Sequence, residues 1–399
     1  MADPLAPGDE AYLDNAASAP LRPVAREAWL RAVDAHHANP TGAHAAARSA
    51  RRALDDARAR VAEALGRHPG EVVLTSGGSE ADNLAVRGVL GIRRGVAVCS
   101  AGEHHAVLDP VIAAGGVAFG LAADGRPDPG SLARVLEATS DVSVVSVMAV
   151  NNETGAVTPM AEIVEVVRER APDALLHTDA VQAVQWIDVA EVTAGFDLVS
   201  ITGHKIGGPV GTGALVVADG VELDPQILGG GQERGRRAGT PAVAGAAAFA
   251  AALDDTVEGR PDEVARLTVL RDRLLDGLLA ALGDRLVVSA SPTGDRAHLA
   301  GGIAHLCLRG VESEALLFLL DAAGVRASAA SSCSSGAQEP SHVLAAMGIG
   351  RELALGSLRL SLGHATTAGD VERALEVIPA AVARLDRHRV DHAPTRSPV

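Results

Sequence analysis

The sequence predicts an α/β protein with a large domain built on a mainly parallel sheet and a smaller α+β domain after it. Between Arg22 and Val217, short β-branched segments alternate with helical patterns, as they do in βαβ units. The strand segments are continuously apolar, which is typical of parallel strands covered on both faces. The length of 399 residues also exceeds what one hydrophobic core usually organises.

The large domain contains six segments with strand character and several with helical character. The predicted strands are residues 71–74, 95–99, 142–150, 175–178, 197–201 and 213–217. The predicted helices include residues 79–90, 131–138 and 160–170. In parallel sheets, ligands bind at the carboxyl ends of the strands. Polar motifs follow several of these strands, so we expect a functional site at that edge.

The smaller domain follows a glycine-rich segment, residues 229–239. Two long helical patterns come first, and shorter strands and helices follow them. The helical patterns span residues 242–253 and 262–281, and the shorter segments are 286–289, 303–308, 313–323, 357–362 and 368–384. Pro261 is a natural boundary, so we assign residues 15–260 to the large domain and residues 1–14 and 261–386 to the small one. Residues 387–399 lack periodicity, and we expect a mobile tail there.

Composition excludes several classes of protein. The net charge of −15 and the 2% aromatic content argue against a nucleic-acid-binding surface, which needs clustered basic and stacking side chains. No stretch reaches the roughly 18 apolar residues of a membrane helix. The N-terminal residues MADPLAPGDE lack the basic residues of a signal peptide, and three cysteines make no disulfide framework. We therefore expect a cytoplasmic protein.

The chain contains 34 arginines and a single lysine, Lys205. A coding bias toward arginine is one explanation. However, only a lysine amine can lose its proton and act as a base or a carbonyl nucleophile. Lys205 follows a predicted strand within LVSITGHKIGGPVGTGAL, where Thr202 and His204 flank it and glycines allow close approach of a ligand. The alternative is a flexible turn with an exposed lysine.

Other polar residues follow the neighbouring predicted strands. Asp179 ends a buried segment and needs a positive partner, although a helix N-cap is an equally simple interpretation. Gln182 lies three residues later, and Asn152 follows the segment that ends at residue 150. His104 is placed similarly; its pairing with His105 lacks the spacing of a zinc site, so stacking on a flat cofactor is the better interpretation.

Three further features suggest an anion site and a reactive thiol. Gly78 and Ser79 open a predicted helix after a strand, so their amides suit a phosphate group, although Gly–Gly turns are common. Cys333 lies in the small, polar stretch SAASSCSSG, which predicts an exposed loop carrying a reactive thiol, whereas Cys99 and Cys307 lie in apolar strand patterns. Arg359, within a predicted strand, needs an anion, either a substrate carboxylate or an internal acid.

Taken together, these motifs resemble the pyridoxal-phosphate-dependent cysteine desulfurases of the class V aminotransferase group, in the branch with a long mobile cysteine loop. The resemblance runs from YLDNAA at residue 12 to about residue 367, through nine segments in the family's order. It implies the pyridoxal-phosphate-dependent transferase fold of the aspartate aminotransferase type, with a seven-stranded sheet in the large domain. Departures at Ser332, Ala238 and residues 241–242 and 301–302 remove no catalytic group.

The resemblance implies a role for each candidate residue. Lys205 would attach pyridoxal 5′-phosphate covalently, Asp179 would pair with its ring nitrogen, and His104 would stack on the ring and act as a catalytic residue that assists proton transfer. Gln182 and Asn152 would bond the phenolic oxygen, and Arg359, with Asn152, would bind the substrate. The residues implied in phosphate binding are Gly78, Ser79, Thr202, His204 and Thr240, the last from a second subunit.

The implied reaction converts L-cysteine to L-alanine and leaves the sulfur as a persulfide on Cys333. A homodimer is implied, and the sulfur would pass to an acceptor protein, which could serve iron–sulfur cluster assembly, transfer-RNA thiolation or DNA phosphorothioation. No membrane or direct nucleic-acid partner is expected. The alternatives are a selenocysteine lyase or an aminotransferase on the same scaffold, and, less well supported, a non-enzymatic scaffold protein.

Overall fold

The computed structural model describes residues 10–329 and 340–391, without the side chains of residues 388–391. The described chain divides into two compact units. The larger unit comprises Ala17–Asn152 and Ala156–Val264. The smaller comprises residues 10–16, Glu153–Gly155 and residues 265–391. The division falls inside one helix, between Val264 and Ala265.

A seven-stranded sheet forms the centre of the larger unit. Its strands are β2 (Val72–Thr75), β3 (Val96–Ser100), β4 (Val117–Phe119), β5 (Val142–Ser146), β6 (Leu175–Asp179), β7 (Leu198–Thr202) and β8 (Gly213–Val217). Their order is β2-β8-β7-β6-β5-β3-β4, and β4, β3, β5, β6 and β7 run parallel. Only β8 runs against its neighbours β7 and β2. The predicted mainly parallel, seven-stranded sheet is confirmed.

Helices accompany the sheet in the larger unit. They are α1 (Pro23–Ala35), α2 (Ala45–Ala64), α3 (Gly78–Ile92), α4 (His105–Ala113), α5 (Pro129–Ala138), α6 (Met160–Arg170), α7 (Val189–Val192) and the first part of α8 (Val243–Leu282). A buried cluster of aliphatic side chains from α3, α4 and the sheet forms much of the core, including Leu84, Val86, Val144 and Leu198. Every residue of β6 and of β7 is buried, so both faces of these strands are covered, as is typical of parallel strands.

The smaller unit contains two small sheets. An antiparallel sheet has the order β12-β10-β9, and a parallel pair joins β1 to β11. The strands are β1 (Ala11–Tyr12), β9 (Leu286–Val288), β10 (Ile303–Leu308), β11 (Val325–Arg326) and β12 (Ser357–Ser361). The helices that follow α8 are α9 (Ser313–Ala322), α10 (His342–Ala346), α11 (Arg351–Ala354) and α12 (Ala368–Asp391). This α+β composition agrees with the sequence-based expectation.

The structure corrects three sequence-based expectations. The separate helices predicted on either side of Pro261 are one helix, α8, because long apolar segments on both sides outweigh the hydrogen bond that proline removes. The strand predicted at 142–150 ends at Ser146, and β4 was not predicted, because its three residues are too short to show a pattern. The helix α12 extends past Arg387 to Asp391; residues 392–399 of the expected tail lie outside the described residues.

Among the described residues, no helix is both long and apolar enough to cross a membrane.

Candidate active site

The carboxyl ends of the parallel strands bring together most of the candidate residues in the larger unit. Asp179 is the last residue of β6, and Lys205 lies three residues after β7. His104 follows β3 by four residues and is the N-cap of α4. Asn152 lies on the chain that continues from β5 beside β6, where Val147 and Ala149 donate backbone hydrogen bonds to the β6 carbonyls. Because these strands are parallel, their ends share one edge of the sheet.

Asp179 is a buried carboxyl group, 4% exposed, at this edge. Its Oδ1 accepts a hydrogen bond from the N–H of Val181, at 2.8 Å. Burial raises its pKa, and the nearby His104, the Val181 N–H and the positive Lys205 oppose that rise. A buried carboxyl group of this kind gains most from a cationic partner. Gln182, three residues further on, is buried as well.

His104 has a fixed tautomer, because its Nδ1 accepts a hydrogen bond from the N–H of Ala106, at 3.1 Å. The Nε2 atom of the neutral ring is therefore the one that carries a proton. The protein around the ring lowers its pKa, and Lys205 and His105 lower it further, whereas Asp179 raises it. The side chain is exposed, so one surface of the imidazole is available to a ligand.

Lys205 lies half-buried in the turn between β7 and β8. Its Nζ donates a hydrogen bond to the carbonyl of Ala17, at 2.9 Å. The next residue toward the N-terminus, His204, has a pKa lowered to about 4, by burial and then by the charge of Lys205. His204 is therefore neutral near pH 7, and it adds no positive charge beside the amine.

The N-terminus of α3 forms an uncapped turn in the same unit. The helix begins at Gly78, and no side chain caps it at Gly77. Gly77 has a φ of 150°, and a Cβ atom there would lie 3.7 Å from Thr202 Oγ1. A Cβ atom on Gly78 would lie 2.6 Å from Val181 Cγ2, two residues beyond Asp179. The start of α3 therefore packs closely against the segment that follows Asp179, and a helix N-terminus without a side-chain cap is a favourable place for an anion.

An ion pair between Glu80 and Arg237 stabilises the turn at the start of α3. Glu80 Oε2 accepts a hydrogen bond from the N–H of Ser76 at 2.8 Å, and Glu80 Oε1 lies 2.8 Å from Arg237 Nε. The exposed Thr240, three residues after Arg237, lines a cavity together with Ser76 and Arg237. Thr202, by contrast, donates its hydroxyl proton to the carbonyl of Thr212, at 3.0 Å. Its oxygen can still accept a hydrogen bond.

Sequence reasoning missed a buried polar network beneath Asp179. His177 is fully buried on β6, with Nδ1 2.7 Å from Ser146 Oγ and Nε2 3.0 Å from Ser200 Oγ. Asp82 Oδ1 of α3 lies 3.7 Å from the same Nε2. Burial, followed by the charges of Asp179 and of Glu103, raises the pKa of Asp82 well above its usual value. A carboxylate within the apolar face of α3 was the available signal in the sequence.

Arg359 lies in the smaller unit, on β12, and is 5% exposed. Its Nη2 donates a hydrogen bond to Asp14 Oδ1, at 2.8 Å. An internal acid, one of the two partners that the sequence left open, is therefore present. The side chain of Asp14 is 24% exposed, so this pair reaches the surface of the unit. Cys99 and Cys307 are buried, as expected of core thiols. The predicted nucleophile Cys333 lies outside the described residues.

Comparison with known proteins identifies the family. The aminotransferase class-V family matches residues 11–374. The IscS-like cysteine desulfurase of Mycobacterium tuberculosis is 44% identical over 389 residues, which cover 94% of this chain and 97% of that protein. The chain belongs to the cysteine desulfurase family. Its fold agrees, because a solved NifS-like protein has a TM-score of 0.86 at 28% identity, over 94% of this desulfurase and 100% of that chain. The solved structure of SspA in complex with cysteine has a TM-score of 0.74 at 29% identity, over 90% and 100% of the two chains.

The desulfurase is an enzyme that depends on pyridoxal 5′-phosphate, the cofactor of its family. Two observations show that residues of the larger unit suit this group. Gly77 has no side chain to cap the start of α3, which leaves the amides of the first turn for a phosphate. The buried Asp179 suits a protonated ring nitrogen, which would compensate the buried charge.

Proposed function

We propose that the carboxyl edge of the sheet, with Lys205, Asp179 and His104, is the catalytic centre at which this desulfurase converts L-cysteine to L-alanine. The observation that carries the proposal is Asp179, a buried carboxyl group at the strand ends that His104 and Lys205 also follow. A cofactor with a cationic ring nitrogen and an aldehyde needs both a buried carboxyl group and an amine, and the single lysine of the chain follows β7, the strand that pairs with the one ending in Asp179.

In this proposal, each residue has a defined task toward the cofactor. Lys205 is the covalent anchor, and its amine carries a proton to and from the substrate carbon in each cycle. Asp179 would hold the proton on the ring nitrogen, and the exposed His104 would pack against the ring. Gly78 and Ser79, at the start of α3, would bind the phosphate through their amides, together with Thr202 and His204. When bound, pyridoxal phosphate withdraws electrons and stabilises negative charge next to the amino group of the substrate.

Three further residues have binding roles in this proposal. Gln182, buried three residues after Asp179, and Asn152, on the chain that continues from β5, would bond the phenolic oxygen. Arg359 binds the substrate carboxylate through its guanidinium group, and its hydrogen bond to Asp14 keeps the group oriented. The planar, two-pronged geometry of arginine makes this contact specific for a carboxylate.

The sulfur is transferred to Cys333 in this proposal. The thiolate of Cys333 attacks the substrate sulfur, so that a sulfur–sulfur bond forms and the carbon–sulfur bond breaks. The electron pair of the broken bond stays with carbon, which takes up a proton and becomes the methyl group of alanine. The persulfide on Cys333 then passes its terminal sulfur to an acceptor protein. Iron–sulfur assembly, transfer-RNA thiolation and DNA phosphorothioation proteins are the candidate acceptors.

The proposal includes a cytoplasmic homodimer. The exposed Thr240 would bind the cofactor phosphate of the second subunit, which makes each centre incomplete without its partner. A Thr240→Ala variant therefore loses affinity for pyridoxal phosphate in proportion to the dimer fraction, measured by fluorescence titration and analytical ultracentrifugation. Equal affinity in monomer and dimer contradicts this part of the proposal.

The decisive experiment compares three variants of the holoenzyme. Lys205→Ala forms no borohydride-stable link to pyridoxal phosphate and loses about 10²- to 10⁴-fold in rate, the usual contribution of a positioned acid–base group. Cys333→Ser binds the cofactor normally but releases neither alanine nor sulfide from cysteine in the presence of a reductant. Arg31→Lys, on the surface of α1, is the control for substitution itself. A normal rate in Lys205→Ala or Cys333→Ser contradicts the assigned role.

A further inference from the structure

A row of polar side chains crosses the antiparallel sheet of the smaller unit next to Arg359. His305 on β10 is the direct cross-strand partner of Arg359 on β12. On the other side, Ser289 extends the pairing of β9 and donates its backbone N–H to the carbonyl of His305, at 3.1 Å. Directly opposite residues place their side chains on the same face of a sheet, with Cβ atoms about 5 Å apart. Ser289, His305 and Arg359 therefore form one row.

Hydrogen bonds fix one side of the His305 ring. Its Nδ1 lies 2.8 Å from Ser289 Oγ, which in turn lies 3.4 Å from Cys307 Sγ. The ring is 2% exposed, and its Nε2 has no hydrogen-bond partner among the described residues. An unpaired buried polar atom costs free energy, so a simple packing role would be better filled by an apolar residue. The position of the ring beside Arg359 supplies another reason for its presence.

The electrostatics of the row suit the support of a cation. Burial lowers the pKa of His305 to about 3, and the charge of Arg359 acts in the same direction. The imidazole is therefore neutral near pH 7, and it places no second positive charge beside the guanidinium group. On the other side of Arg359, Asp14 holds Nη2 at 2.8 Å. Arg359 thus has a carboxylate as a hydrogen-bond partner and a neutral, flat ring as its cross-strand neighbour.

We propose that His305 is a positioning residue, which holds the guanidinium group of Arg359 in the orientation that binds the carboxylate of the amino-acid substrate. The inference rests on the proposed role of Arg359. The hydrogen bond between Ser289 Oγ and His305 Nδ1 sets the plane of the imidazole, and in this proposal the imidazole limits the rotation of the Arg359 side chain. A long arginine side chain loses much rotational freedom on binding, and a neighbour that removes this freedom beforehand strengthens binding.

The test is a double-mutant cycle on the holoenzyme with cysteine as substrate. His305→Leu has neither the flat ring nor the hydrogen bond to Ser289 that orients it, and we expect KM for cysteine to rise about tenfold while kcat changes less than about twofold. His305→Gln can still bond Ser289 Oγ and restores most of the affinity. In the Arg359→Ala background, His305→Leu has no further effect on KM. His298→Gln is the matched control. His298 Nε2 donates a hydrogen bond to the Ala290 carbonyl at 2.8 Å, and His298 lies outside the three strands of the sheet that contains Arg359.

The outcomes distinguish the role of His305 from that of Arg359. If Arg359→Ala leaves KM unchanged, the proposed role of Arg359 fails, and the role of His305 fails with it. If Arg359→Ala raises KM but His305→Leu does not, or raises it equally in both backgrounds, only the role of His305 is overturned. Should His305→Leu not fold, Ser289→Ala replaces it: loss of the hydroxyl group that orients Nδ1 raises KM about two- to threefold in the presence of Arg359 and not in its absence.

Discussion

The buried ion pair between Arg58 and Glu233 gives the sharpest test of how the larger unit is held together. Arg58, on α2, places Nη1 2.6 Å from Oε2 and Nη2 2.7 Å from Oε1 of Glu233. The two side chains are 9% and 4% exposed. Arg58 also donates to the Val72 carbonyl at 2.8 Å, and Glu233 accepts from the Leu74 N–H at 2.8 Å. The pair therefore ties the glycine-rich segment to β2.

The cost of breaking this pair follows from its burial. Arg58→Met leaves the carboxylate of Glu233 buried, with the Leu74 N–H as its one remaining hydrogen-bond donor among the described residues, and the Val72 carbonyl loses a donor. Removal of one partner of a buried pair costs about 3–5 kcal/mol of unfolding free energy. Glu233 also has a positive φ of 48°, a strained conformation that this contact sustains. The double variant Arg58→Met/Glu233→Met leaves no unpaired charge, so it loses less than either single variant.

Urea unfolding followed by tryptophan fluorescence measures the effect. Both tryptophans, Trp29 and Trp186, lie in the larger unit, so their emission reports the unfolding of the unit that contains the pair. Arg31→Met is the control, because the Arg31–Glu27 pair is 70% and 67% exposed and contributes at most about 1 kcal/mol. Additive losses in the double variant, or a loss below about 1 kcal/mol in Arg58→Met, would refute the reasoning.

Three other variants test the site and the fold. Asp179→Asn, which cannot hold the proton on a ring nitrogen, retains cofactor binding within about tenfold but lowers kcat by at least about 10²-fold, measured by alanine release; a wild-type kcat would contradict the pairing. Gly77→Ala forces a Cβ into a φ of 150° and weakens the affinity for pyridoxal phosphate, measured by equilibrium dialysis, whereas Gly220→Ala, with a φ of 80° in open space, does not. His177 has a pKa lowered to about 3 by burial. The unfolded chain therefore takes up a proton at His177 below about pH 6.5 that the folded chain does not, so the stability lost between pH 7 and pH 5.5 is about 1.3 kcal/mol smaller in His177→Asn than in the wild type. Urea titrations at the two pH values measure this difference. If the wild type and His177→Asn lose the same unfolding free energy between pH 7 and pH 5.5, His177 is not a buried neutral group.

The sequence by itself determined the features that depend on neighbouring residues. Apolar segments of five residues between helical patterns predict buried parallel strands, because a strand covered on both faces has no polar alternation. The polar residues after these segments, Asp179 and Lys205 among them, are expected at one place, since parallel strands end at a common edge. The amino-acid composition alone was enough to identify Lys205 as the candidate amine, because arginine cannot serve as a neutral amine.

Only the tertiary structure decided the pairings between distant parts of the chain. Asp14 and Arg359 are 345 residues apart, and Arg58 and Glu233 are 175 apart. No periodicity links such positions, because a pairing of this kind arises when two elements pack and a buried charge must find a partner. The same holds for His177 and Asp82, which look like ordinary polar residues until α3 lies on the sheet. Local patterns thus specified the strands and the edge of the site, whereas burial, which exists only in the folded chain, specified which charges meet.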